Sequence, residues 1–130
     1  MADFLKSSLP LLSKGWSVFP VVKGGKIPLT KRGFKDSSKD RSQVLSWARQ
    51  YPEANVGIAT GQISGIAVVD IDVKNGKEGL SSVAMIKGIV PTNTYTIKTP
   101  SGGIHYYYRY GKPIASRNGF LPGVDFKADG

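Results

Sequence analysis

Apolar residues recur along this chain with two periods, one near 3.6 residues and one of two, and the switches between them mark out the elements. Phe4, Leu5, Leu9, Leu11 and Leu12 fall at helical spacing between Asp3 and Lys14. Pro10 predicts a kink or an early end to that helix, and Gly15 a stop. Trp16-Ser17-Val18-Phe19-Pro20-Val21-Val22 reads as a strand, followed by a glycine hairpin turn at Lys23-Gly24-Gly25-Lys26. That turn is not a Walker loop, because its Gly-Lys is followed by neither Ser/Thr nor a helix. Thr30 to Ser38 is a polar, basic loop. Asp40, with Gln43 three residues on, has the capping-box pattern. Val44, Leu45, Trp47, Ala48 and Tyr51 continue one helical face until Pro52, which makes Trp47 a core anchor.

The rest of the chain is mostly of period two. Asn55 to Gly61 and Ser64 to Val73 read as successive strands with a turn at Thr60-Gly61. Gly76 through Lys87 has helical spacing, and Thr94 to Lys98 alternates like a half-buried strand. Thr99-Pro100-Ser101-Gly102-Gly103 is a sharp turn. It leads into Ile104 to Tyr110, where His105, Tyr107 and Arg109 share a face. Residues 111–123 read as irregular, and Gly123 to Ala128 as a short last strand with Asp125 and Lys127 on one face.

Chemistry enters at Val68-Val69-Asp70-Ile71-Asp72, two carboxylates inside an apolar run. Asp is depleted from strands, and residues two apart on a strand point the same way. Parallel carboxylates repel, and a hard divalent cation such as Mg²⁺ or Mn²⁺ relieves that repulsion. The alternative is a cap on the turn Lys74-Asn75-Gly76 plus a solvated strand end. Ser101-Gly102-Gly103 before His105 can serve a triphosphate: glycines admit anionic oxygens to the backbone, Ser offers a hydroxyl and His a donor. A plain hairpin with a structural His is the competing reading. Asp70, Asp72, His105 and Asp125 together match metal-dependent phosphoryl transfer.

Composition narrows the partners. The 130 residues are long enough for one domain with one core, and carry a net charge of +9. Residues 1–50 hold ten Lys/Arg against three acids, and residues 51–90 hold three against four. Basic surface therefore belongs largely to the first part, and the acids concentrate around the metal strand, an arrangement that suits nucleic acid or nucleoside triphosphates. Lys31, Arg32 and Lys35 are the candidate DNA contacts. With no cysteine and a single His, thiolate or His-rich metal sites are excluded. No apolar run approaches a membrane span and no signal-peptide pattern opens the chain, so the expectation is a cytoplasmic protein without a membrane partner.

Six stretches in order carry a family resemblance: residues 15–20 (Gly-Trp-Ser-Val-Phe-Pro), 25–29 (Gly-Lys-Ile-Pro-Leu), 55–61 (Asn-Val-Gly-Ile-Ala-Thr-Gly), 68–72, 99–108 (Thr-Pro-Ser-Gly-Gly-Ile-His-Tyr-Tyr-Tyr) and 123–130 (Gly-Val-Asp-Phe-Lys-Ala-Asp-Gly). Together they resemble the bifunctional DNA primase/polymerase domain of the archaeo-eukaryotic primase superfamily, common in plasmids and phages. The resemblance implies an α+β fold over residues 1–130, with an RNA-recognition-like sheet and an N-terminal αβ unit. It implies template-directed nucleotidyl transfer on DNA template and primer with Mg²⁺ or Mn²⁺. Asp70, Asp72 and Asp125 fall on its acidic metal positions, and His105, after Ser101-Gly102-Gly103, on its nucleotide-phosphate histidine. Family members usually continue past Asp129-Gly130 through a further strand, and often into a helicase. The expectation is therefore a C-terminally shortened chain whose Asp125 lies on a frayed edge.

Two other functions compete. One is a nucleotide or nucleic-acid binding module without turnover, working through the basic first half. The other is a sugar-nucleotide transferase, which also uses Asp-x-Asp but leaves the basic half and the Ser-Gly-Gly-x-His strand without a role.

Overall fold

A computed structural model of the chain describes residues 3–73, 94–99, 102–110, 116–121 and 123–129. The chain forms two compact units, Met1–Ala59 and Thr60–Gly130. Together they make a mixed α+β fold with two helices and two antiparallel sheets among the described residues.

The first unit begins with α1 (Phe4–Ser13), capped by Asp3, whose side chain accepts from the Lys6 N–H at 3.0 Å. Pro10 lies inside α1 without ending it. Its missing donor falls near the C-terminus, where Ser13 Oγ donates to the Pro10 carbonyl at 2.7 Å and the N–H groups of Lys14 and Trp16 both bond to Leu11 O. Gly15, at φ +82°, ends the helix in the left-handed conformation that favours glycine. β1 (Val18–Val21) pairs antiparallel with β2 (Asn55–Ile58). Gly57 allows this pairing, since a Cβ there would lie 2.4 Å from the Phe19 ring. Between the two strands run a one-turn 3₁₀ helix (Gly33–Asp36) and α2 (Arg41–Gln50). Asp40 caps α2 as expected, accepting from the Ser42 N–H at 3.0 Å, but its own N–H donates to Ser38 Oγ at 2.9 Å, so the reciprocal bond of a capping box with Gln43 is replaced. Trp47 is a core anchor, edge-on to Phe4 at 6.4 Å. Phe4, Val18 and Val44 are fully buried beside it, each contributing about 1.5–3 kcal/mol.

The second unit is a five-stranded antiparallel sheet in the order β4-β5-β3-β7-β6. Its strands are β3 (Ile66–Ile71), β4 (Thr96–Lys98), β5 (Ile104–Arg109), β6 (Arg117–Leu121) and β7 (Val124–Lys127). β3 is central, flanked by β5 and β7. One face packs Val69, Ile71, Tyr106 and Val124 into a core, with Ile104, Tyr108 and Phe126 against it. The alternation along β3 and β5 thus sends Asp70 and His105 to the other face.

Two expectations are corrected here. Residues 117–121, read as irregular, form β6, a glycine-containing strand that pairs with β7 through a register shift. A bulged pairing breaks the strict alternation on which a sequence reading depends. In consequence β7 has partners on both sides, and Asp125 lies inside the sheet instead of on a frayed edge. The helix expected over 76–87 lies outside the described residues.

Candidate functional site

The site starts from register. Asp70 on β3 stands opposite His105 of β5 on one side and Asp125 of β7 on the other. Residues opposite one another in adjacent strands have Cβ atoms about 4.5–5.5 Å apart on the same face. His105, Asp70 and Asp125 therefore form one row across three strands, continued by Ile97 of β4, the register partner of His105. Asp72 follows Asp70 by two residues, just past β3, where its N–H still bonds to Gly123 O at 2.8 Å. The alternation thus continues and Asp72 belongs to the same face.

His105 Nε2 lies 3.2 Å from Asp70 Oδ1, with both side chains about one-third exposed (32% and 29%). Lys127 Nζ is 3.9 Å from Asp125 Oδ2, which confirms that these two share a face. The neighbouring row adds aromatic groups: Tyr107 meets Tyr95 edge-on at 5.2 Å and lies 6.4 Å from the His105 ring. Burial, then the neighbouring Tyr95 and the Asp70 charge, push the Tyr107 phenol up to about 12. It is a neutral wall beside a charged row.

The turn into β5 is held by Thr99. Its N–H bonds to Gly103 O at 2.9 Å, its carbonyl accepts from the Gly102 N–H at 3.0 Å, and its Oγ1 accepts from the Gly103 N–H at 2.9 Å. Both glycine N–H groups offered to a phosphate by the sequence are thus bonded within the hairpin. The glycines have steric work instead. Gly102 sits at φ +89°, and a Cβ on Gly103 would lie 2.4 Å from the Ile71 carbonyl oxygen. Close approach of this turn to the end of β3 is what seats His105 beside Asp70. Ser101 lies outside the described residues.

A divalent cation fits this face in kind, since Asp70, Asp72 and Asp125 supply only hard oxygen donors. Among the described residues, however, no three His, Asp or Glu side chains converge as a metal-binding group. Asp70 is turned toward His105 and Asp125 toward Lys127.

The basic candidates lie in the first unit. Arg32 is bound to Asp36 through Nε at 2.9 Å and Nη2 at 2.8 Å, and its backbone N–H donates to Asp36 Oδ2 at 2.8 Å. These contacts, the backbone bond foremost, hold the Asp36 carboxyl below the usual range. Lys31 and Lys35 are exposed on either side.

Sequence reasoning gave Asp129 no role of its own. Its carboxylate accepts from the Gln62 N–H at 3.1 Å and the Tyr110 hydroxyl at 2.5 Å, while Thr60 Oγ1 donates to Ala128 O at 2.7 Å. The one available signal was Gly61, at φ +89° with no room for a Cβ beside Asp129. Nor does any helix among the described residues have the length and apolarity to cross a membrane.

The family model for the bifunctional DNA primase/polymerase N-terminal domain matches residues 8–130. No curated protein matches the chain.

Proposed function

The chain belongs to the bifunctional DNA primase/polymerase family, and from that premise we propose that it performs template-directed, divalent-metal-dependent nucleotidyl transfer on DNA, in plasmid- or phage-type replication. The observation that carries this reading is the row His105–Asp70–Asp125 across three adjacent strands. It sets a cationic or neutral donor for phosphate next to carboxylates suited to a metal.

In this reading residues 1–130 act as one catalytic domain. Asp70, Asp72 and Asp125 hold Mg²⁺ or Mn²⁺, which when bound neutralises charge on the phosphates. His105 binds the triphosphate, with Ser101 in support, and Gly102 and Gly103 serve the nucleotide site by letting the turn approach β3 so that His105 is seated beside Asp70. Lys31 and Lys35 hold template and primer by their phosphates. Arg32 serves the same surface chiefly by bracing it through Asp36. The primer 3′ oxygen attacks the α-phosphorus of the incoming nucleotide, the new phosphodiester forms, and pyrophosphate leaves. A helicase, fused or separately encoded, is the partner such a polymerase would work with.

A second reading is favoured by the pairing of Asp70 with His105 and of Asp125 with Lys127. In it the chain binds nucleotide and nucleic acid without turnover. Labelled dNTPs supplied with Mg²⁺ or Mn²⁺ on primed and unprimed templates separate the two. Incorporation by the wild type that disappears in Asp70→Asn supports the polymerase. Nucleotide binding without incorporation supports the binding module, and equal incorporation by Asp70→Asn would remove the metal assignment.

A further inference from the structure

We propose that residues 22–35 form a stacking surface for single-stranded nucleic acid, on which Phe34 and Ile27 meet bases while Lys26, Lys31 and Lys35 meet phosphates. The inference rests on the reading of this chain as a DNA-handling protein, and adds which strand state the surface selects and by what contact.

Among the described residues of the first unit, the exposed large hydrophobics are Val22 (36%), Ile27 (70%) and Phe34 (43%). All three fall within thirteen residues of sequence. The same stretch, residues 22–35, carries Lys23, Lys26, Lys31, Arg32 and Lys35 and no acid. Exposed apolar side chains scattered singly need no explanation, but here they are interleaved with charge of one sign.

The display is braced. The 22–27 turn closes with the Val22 N–H on Ile27 O at 2.8 Å and the Gly25 N–H on Val22 O at 2.9 Å. The 3₁₀ turn is held by Thr30 Oγ1 donating to Gly33 O at 2.8 Å and by the Arg32–Asp36 contacts. Gly33, at φ +62°, lies against Pro28, the residue after Ile27. The two turns are therefore neighbours. Asp36 is matched by Arg32, so the flanking Lys31 and Lys35 dominate the local charge.

This composition selects its occupant. Lysines attract any polyanion, but a duplex keeps the faces of its bases stacked away from protein. A single strand offers those faces, and stacking of bases on aromatic side chains tolerates any sequence. Positive charge with protruding apolar groups also suits an anionic membrane surface, which the test separates.

Fluorescence anisotropy of the full chain with a labelled oligothymidylate, and with a hairpin duplex of matched charge, reads the difference. Phe34→Ala should weaken oligothymidylate binding about fivefold or more, leave duplex binding nearly unchanged, and preserve the salt dependence. Phe34→Trp should retain affinity, which separates stacking from loss of fold. The double variant Lys31→Ala/Lys35→Ala should weaken both ligands and flatten log K against log salt by about 0.7 per lysine on the single strand. Unchanged oligothymidylate affinity in Phe34→Ala, an equal loss on both ligands, or Phe34-dependent binding confined to phosphatidylserine vesicles would overturn the surface. Phe34-dependent binding by a chain that incorporates no nucleotide would keep the surface and remove the polymerase reading. Incorporation by a chain whose oligothymidylate affinity ignores Phe34 would do the reverse.

Discussion

At the scale of single residues, the site is governed by what stands next to what. His105 takes its place from Asp70, 3.2 Å away, and in the proposed function it binds the triphosphate beside a metal-holding carboxylate. Replacing His105 by Ala should therefore raise the KM for dNTP in primer extension with a smaller change in kcat. If template affinity alone changed, the histidine would not be a triphosphate ligand. Tyr107 makes a prediction in the alkaline range. Its pKa of about 12 in the fold lies above the usual 10.0, because burial disfavours the phenolate. Between those values the folded chain keeps a proton that the unfolded chain loses. Its contribution is thus present below pH 10 and declines as pH rises toward 12. Urea unfolding across that window should show a shallower decline in Tyr107→Phe than in the wild type. Tyr108 is moved in the same direction, by burial and then Tyr106, so the slope is reduced and not abolished.

At the scale of elements, the strands that carry the site were legible because their signal is local. Asp70 and Asp72 break an apolar run, and alternation alone places them on one face with Val69 and Ile71 behind them. Asp40 and Gln43 announced α2, and Gly102-Gly103 announced the turn before β5. What remained hidden depends on distant partners. β6 needs the bulged pairing with β7 to exist, and Asp129 matters only because the Gly61 turn and Tyr110 come to it. Pro10 deprives the Lys6 carbonyl of its i+4 donor, yet α1 runs on for three more residues to Ser13. The sequence leaves the glycines of the β5 turn open to a phosphate or to a plain hairpin, and in the fold Thr99 holds both their N–H groups. Gly103→Ala tests the steric alternative. A Cβ set 2.4 Å from the Ile71 carbonyl should cost about 1–3 kcal/mol in urea unfolding, and should displace His105 so that dNTP binding weakens as well. An unchanged unfolding midpoint would contradict the close approach.

At the scale of the whole molecule, both units are net basic, and the excess of Lys/Arg over acids is larger in the first. Unit Met1–Ala59 carries ten Lys/Arg and four acids, while the second unit has eight Lys/Arg and five acids in its sequence, and its sheet carries Asp70 and Asp125 on the face opposite its apolar core. Family membership implies DNA and nucleotide substrates, and the register of β3 with β5 and β7 aligns His105, Asp70 and Asp125. The central claim is that Asp70, Asp72 and Asp125 form one cation-binding face despite standing on two strands. Mn²⁺ titration followed by electron paramagnetic resonance, with dNTP present, reads that face without needing turnover. The account predicts that Asp70→Asn and Asp125→Asn each lose most of the bound Mn²⁺ while keeping the wild-type circular dichroism spectrum. Mn²⁺ binding as tight in Asp125→Asn as in the wild type would contradict it.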